Sequence, residues 1–450
     1  MGEHKDLGPV IESGMCIGCG ACAVADSSVE LVLDPDRLAF APSSPGGVAA
    51  ASVCPALEVD FEGLQEWRFP GAYRTRHGVV DSVHLAQSTD RDRNVKASSG
   101  GLIKELMLHY LERGDVDGII ALDHVAGLDF RPTLVTDADH VDRLPGSVYH
   151  NLAQPEALEL LRRHDGRFVL VGIPCQLEGL FSYVRRIEPR LAERIHATIG
   201  LLCGWQYNHH ALRAICRYKG IDFEAITDIS YRGGGPVGRL RIVTPTREHR
   251  IHRRLDFSYQ VAFDRSFNLP RCHLCVDHAN FLADVVVGDA WLPSTVTTRT
   301  GVSLVICRTP EATATIEQMA RRGRLQAAEA SVDDVTESQT RSNAFGDFAY
   351  AYAEYLEEIG EHRPRMVGPN RTAARLSPRR EVEAFHREVL RKRELQGQGR
   401  YRRLWWRKAT ADLWPLARRY LRWFFVRVLR VKSLTGRRRE IGREKTQVFR

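Results

Sequence analysis

Ten cysteines are distributed through this 450-residue chain, and eight of them stand in patterns that could do chemistry. The stretch GMCIGCGACAVAD, residues 14–26, places Cys16, Cys19 and Cys22 three apart. That is the opening of the ferredoxin run C-x2-C-x2-C-x3-C-P, in which thiolates wrap an iron–sulfur cluster. Asp26 stands where the fourth cysteine of the run would be. The missing Cys-Pro pair occurs downstream, at Cys54-Pro55. Between them lie apolar runs broken by Pro and Gly, VELVLDP and LAFAPSSPGG, which read as an excursion that returns to the cluster. Three thiolates on one loop and one from the returning segment complete a cubane. The alternative is a zinc knuckle, although zinc sites usually use paired C-x2-C units rather than a triple.

A second group is dispersed. RCHLCVD supplies Cys272 and Cys275 as a C-x2-C pair. VGIPCQ puts Cys175 after the strand-like FVLVGI, and IGLLCGW puts Cys203 after ATIGLL. Both cysteines fall where a buried strand ends in a Pro- or Gly-marked turn, which in parallel α/β sheets is where ligands collect. Singly, each reads as a small buried apolar residue; with the pair, the four favour a second cluster. Cys216 and Cys307 read as core. With no secretion signal in MGEHKDLGPV, patterned cysteines suggest metal or redox work rather than disulfides.

Residues 97–101, ASSGG, precede a helical pattern of Leu102, Ile103, Leu106, Met107, Tyr110 and Leu111, closed by Gly114. Free amides at such a helix start suit an anion such as a phosphate. The alternative is an ordinary serine cap beside a glycine turn. No GxGxxG follows a strand, which argues against a Rossmann dinucleotide site. No general acid can be named. Lys96, Tyr231, Arg232, His209 and His210 are weaker candidates, and surface, turn or helix-start roles compete for them. Asp284 and Asp289, within DVVVGDAW at 284–291, read most simply as turn caps.

These residues must be positioned by a body in which apolar strands alternate with helices. The expected fold class is α/β (α+β), with a mainly parallel mixed sheet, an N-terminal ferredoxin-like iron–sulfur segment and a helical C-terminal extension. Five regions are expected. They are 1–62 (4Fe-4S segment), 63–155 (ASSGG), 156–330 (second cysteine set), 331–399 (helical and charged) and 400–450 (basic tail).

The net charge of +8 conceals an asymmetry. Residues 400–450 hold 17 Lys or Arg against 3 Asp or Glu, so the remainder is net acidic. In 413–432, Leu413, Trp414, Ala417, Leu421, Phe424, Phe425, Val428 and Leu429 share one helical face, with Arg418, Arg419, Arg422 and Arg430 largely opposite. A basic amphipathic helix of this kind suits an anionic membrane surface. An acidic partner or the chain's own acidic body would serve as well. Nucleic acid ranks lowest, since no nucleic-acid motif accompanies the tail. No stretch offers the roughly 18 apolar residues of a membrane span. The expected location is cytoplasmic, with peripheral attachment at the inner face of the membrane as an extension.

In order along the chain, MCIGCGACA, Cys54-Pro55, ASSGG, GSVYHN, VGIPCQ, LLCG and RCHLCVD…ADVVVGDAW resemble the coenzyme F-420 hydrogenase/dehydrogenase beta-subunit family. The resemblance spans roughly residues 10–310 and rests on the ordered set rather than on any single motif. It implies FAD at Ser98, Ser99, Gly100 and Gly101, one 4Fe-4S cluster on Cys16, Cys19, Cys22 and Cys54, and another on Cys175, Cys203, Cys272 and Cys275. It further implies an oxidoreductase passing electrons between coenzyme F-420 and an iron–sulfur partner such as a ferredoxin. The alternatives are a ferredoxin-dependent reductase of an organic substrate and a non-catalytic electron-transfer subunit at the membrane surface.

Overall fold

The structure is a computed structural model that describes residues 5–232, 238–295, 300–368 and 377–411. The amphipathic helix expected at 413–432 lies outside the described residues.

The centre is an eight-stranded sheet. Its strands are β1 (Ser82–Ser88), β2 (Gly118–Ala126), β3 (Asp129–Val135), β4 (Phe168–Gly172), β5 (Ile195–Leu201), β6 (Val285–Asp289), β7 (Ser303–Cys307) and β8 (Leu325–Ala330). They run in the order β8-β1-β7-β6-β5-β4-β2-β3. Four consecutive strands, β2-β4-β5-β6, are parallel. Three strands are added antiparallel on one side and β3 on the other. The expected mixed sheet is present, but it is not mainly parallel: three of its strand pairings are parallel and four antiparallel. The cause lies in runs such as Ser303–Cys307, buried on both faces throughout. A continuous apolar strand looks the same in either direction.

Both faces of the sheet are covered, and side chains alternate between them. Val285, Val287, Val305 and Cys307 pack with Leu102, Leu106 and Ile316 on one face. Val286, Leu304 and Ile306 pack with Leu177, Phe181 and Phe61 on the other. The second face carries the helix Pro174–Arg186, which begins directly after β4 with Pro174 in its first turn. Proline suits that position because its absent N–H is not needed there.

The N-terminal residues form three short helices, Gly8–Ser13, Ala21–Ala25 and Val48–Ser52, around a hairpin of Leu31–Asp34 with Ala39–Pro42. The excursion between Cys22 and Cys54 is this hairpin and the third helix. Leu7, Val10, Cys16, Cys22 and Cys54 share a core with Leu274, Phe348, Tyr352 and Val382. Strand Arg365–Val367 also pairs parallel with Glu58–Asp60. The N-terminal segment is thus clasped by helices far along the chain.

Candidate functional site

The loop that presents Cys16, Cys19 and Cys22 is shaped by its glycines. Gly18 and Gly20 have φ of 76° and 81°, conformations that cost other L-residues about 1–2 kcal/mol. A Cβ on Gly18 would lie 1.8 Å from the Leu152 carbonyl oxygen, and one on Gly20 would lie 2.3 Å from Pro155. The loop therefore lies flat against residues 151–155. There the Asn151 side-chain amide donates to the Ile17 carbonyl at 3.0 Å, and the Gln154 N–H donates to Gly18 at 2.9 Å.

Cys16, Cys19, Cys22 and Cys54 converge. All four line one cavity, with Val10, Leu31 and Pro42 among its other walls. Burial pushes the Cys16 thiol up to about 12 and the Cys54 thiol up to about 11, and raises Cys19 and Cys22 further. A charge on Cys54 further disfavours ionisation of Cys19 and Cys22. Asp26 turns away from them. Its carboxylate accepts from the Ser28 hydroxyl at 2.7 Å and the Gly47 N–H at 2.8 Å, and the Ser28 hydrogen bonds hold it below the usual carboxylate range.

The second set also converges, at the carboxyl ends of the parallel strands. Cys175 starts the helix after β4, Cys203 follows β5, and Cys272 lies within a 3-10 turn, Pro270–Leu274, that Cys275 directly follows. Gln206 reaches two of the four. Its backbone N–H lies 3.3 Å from Cys272 Sγ, and its side-chain amide lies 3.4 Å from Cys175 Sγ. The Cys203 carbonyl accepts from His278 Nδ1 at 2.7 Å. Burial pushes Cys272 up to about 11 and the other three thiols higher. Cys175 also feels the charge of Glu178 and of the other three cysteines. Cys216 and Cys307 sit apart, in the core.

Sequence reasoning missed what lies between the sets. Arg271 and Glu178 are 2 % and 0 % exposed and pair at 3.3 Å. Burial pushes the Glu178 carboxyl above the usual carboxylate range, while the Arg271 guanidinium pulls it back. The next residue, Gly179, lies against Cys19 of the first set. The one available signal was an arginine placed directly before Cys272.

ASSGG sits where expected, before the helix Leu102–Arg113, whose N-cap is Gly101 with φ 83° and no side-chain cap. The four residues differ in what they face. The Gly100 N–H donates to Ser303 Oγ at 2.9 Å, and the Ser99 hydroxyl donates to the Val302 carbonyl at 3.1 Å. Both therefore tie the turn to β7. Ser98 meets Ser147 of GSVYHN, hydroxyl to hydroxyl at 3.1 Å.

The weaker candidates resolve as structural ties. Tyr231 is buried against His150, and Arg232 pairs with Asp289 at 2.7 Å. Asp284 accepts from Arg68 at 2.7 Å and from the Thr198 hydroxyl at 2.7 Å. These aspartates hold ion pairs rather than turns. His209 Nε2 binds the Asn151 carbonyl at 2.8 Å, and His210 binds the Tyr401 hydroxyl at 2.7 Å. Lys96 is exposed.

Family models of the coenzyme F-420 hydrogenase/dehydrogenase beta subunit match residues 83–159 with the N-terminal part and residues 165–333 with the C-terminal part. The chain belongs to this family. The matched regions hold ASSGG and the second cysteine set; the first set lies before them. Among similar curated proteins is a subunit of the F(420)H(2) dehydrogenase of Methanosarcina mazei. It is 23% identical over 305 residues, covering 64% of this chain and 79% of that one. The beta subunit of the coenzyme F-420 hydrogenase of Methanococcus voltae is 23% identical over 264 residues, covering 57% and 87%. The coenzyme F-420-dependent sulfite reductase of Methanocaldococcus jannaschii is 22% identical over 329 residues, but only 46% of its length is spanned. A chain of the F-420-reducing NiFe hydrogenase complex from Methanosarcina barkeri has the same fold, with a TM-score of 0.50 at 18% identity, covering 65% of this family member and 98% of that chain.

Proposed function

We propose that this chain is a flavin- and 4Fe-4S-dependent oxidoreductase that moves electrons between coenzyme F-420, a deazaflavin, and an iron–sulfur electron partner. The observation that carries this reading is the gathering of eight buried or half-buried thiols into two sets of four, one in the N-terminal segment and the other at the carboxyl ends of the parallel strands.

The donor chemistry fits clusters. The first four thiols line one cavity, and four thiolates are the ligand set of a 4Fe-4S cluster. Cys16, Cys19, Cys22 and Cys54 would hold one cluster. Cys175, Cys203, Cys272 and Cys275 would hold the other, where Gln206 offers two donors toward sulfur. Ser98 and Gly101 would receive a flavin phosphate at the uncapped helix start, while Ser99 and Gly100 fix the turn. FAD supplies conversion between one-electron and two-electron exchange.

Several relatives carry the name of a subunit, so a redox partner protein is part of the proposal. Residues 400–450 are its proposed membrane-surface contact, for a chain acting at the cytoplasmic face. No helix among the described residues is long and apolar enough to cross a membrane.

The test is anaerobic purification with iron, sulfide and flavin analysis, followed by dye-coupled F-420 oxidation and reduction. About eight irons and one FAD per chain are expected. Zinc without flavin overturns the reading. Full cofactor content without F-420 turnover would instead assign the chain as a relay subunit.

A further inference from the structure

Arg271 has the largest of the fully buried side chains among the described residues. A guanidinium so deep is costly unless its surroundings compensate its charge. It donates from Nε to the Pro55 carbonyl at 3.2 Å, from one terminal nitrogen to the Leu274 carbonyl at 3.1 Å, and from the other to Glu178 Oε2 at 3.3 Å. Each acceptor belongs to a cysteine set. Pro55 follows Cys54. Leu274 lies between Cys272 and Cys275. Glu178 stands one helical turn after Cys175 and immediately before Gly179, which touches Cys19.

The pair is poorly built for stability alone. It is a single long contact rather than a bidentate fork. The second carboxylate oxygen, Glu178 Oε1, is buried with no hydrogen-bond partner, a costly state for such an atom. Other buried charges do not substitute for Arg271. Arg308 spends its donors on the carbonyls of Asn280, His77, Val79 and Ala279. Asp277 adds a carboxyl near the second set, accepting from the Phe281 N–H at 2.9 Å.

We propose that Arg271 is a positioning residue shared by both cluster sites, fixing the backbone beside Cys54 and between Cys272 and Cys275, with a single charge that raises the reduction potential of both. The inference rests on the two-cluster reading above. Reduction adds negative charge to a cluster, and a fixed cation in a dry surrounding favours the reduced form. One residue thereby keeps two centres poised together, which suits traffic between them.

The experiment uses the full-length holoprotein. E178Q is made first, because it removes the acidic partner and leaves a neutral isostere. R271Q is then added on that background, so that no buried charge is left uncompensated. Iron and sulfide content and EPR-monitored potentiometric titration are read in each variant. Adding R271Q to E178Q is expected to move both midpoint potentials downward. R271K on the same background keeps the charge and is expected to leave both at the E178Q values. A shift in one potential only, a shift in neither, or an equal fall with lysine overturns the proposal. Absence of iron and sulfide from the wild-type protein would defeat the two-cluster reading itself. Two intact clusters with unmoved potentials would defeat only the role of Arg271.

Discussion

Gly179 presses its bare α-carbon toward Cys19, such that a Cβ there would stand 2.6 Å from the sulfur. The helix that carries Cys175 is therefore also the wall behind a thiol of the other set. Gly179→Ala is expected to displace Cys19 and lower iron content by about four per chain, with the second set still loaded. Loss of iron from both sets, or from neither, would contradict this separation.

Single cysteine replacements should divide the same way. Cys54→Ser and Cys203→Ser are each expected to lose about four irons, from different clusters, with distinct EPR signals remaining. Cys216→Ala, in the core beside Ile215 and Tyr231, should retain full iron content and lower only the melting temperature.

The flavin assignment can be tested apart from the clusters. Gly101 has φ 83°, and a Cβ there would meet that of Ser88 at 3.2 Å. Gly101→Ala should cost about 1–2 kcal/mol in backbone strain and reduce the flavin-to-protein ratio while iron stays constant. Ser98→Ala should weaken flavin binding with little change in melting temperature. Unchanged flavin content in both variants would remove this turn from the site.

Asp289 ends β6 and holds the Arg232 guanidinium, which is only 7% exposed. Asp289→Asn removes the carboxylate that compensates that charge. A loss of about 3 kcal/mol is expected in urea unfolding. A loss below about 1 kcal/mol would show that the other neighbours of Arg232 suffice.

Stability should fall in mild acid. Burial pushes His77 and His109 down to about 4, with nearby arginines acting in the same direction, and His150 lies well below its ordinary value. Unfolded histidines take up protons near about 6.5. Between roughly 6.5 and 4 the unfolded chain binds more protons, so stability is fully present above that window and is lost as pH falls through it. Melting temperatures measured from about pH 7.5 to 5 check this, and His109→Gln should flatten the slope.

The grouping of the cysteines was legible from sequence where chemistry imposes spacing. Cys16, Cys19, Cys22 and the displaced Cys54-Pro55 declare themselves, and Cys175 and Cys203 are marked by the apolar strands before them. ASSGG was legible as a helix start because Gly114 and the periodicity from Leu102 frame it. Strand direction was not legible. Ser303–Cys307 is buried on both faces and carries no alternation to distinguish neighbours. Nor was the Arg271–Glu178 pair, whose members lie far apart in sequence and belong to residue types that usually face water. The same holds for Gly179, whose meaning comes only from the sulfur it faces.

The interleaving of the two cysteine sets bears on how the protein is made. Residues 1–62 leave the ribosome ahead of the rest, yet the wall behind Cys19 is Gly179, the donor to Pro55 is Arg271, and the strand paired with Glu58–Asp60 is Arg365–Val367. The first cysteine set cannot reach its final shape on a nascent chain shorter than most of the protein. On the proposed reading, cluster insertion there would be a late, post-synthetic event, and the biogenesis machinery would meet a nearly finished fold rather than a segment just emerging.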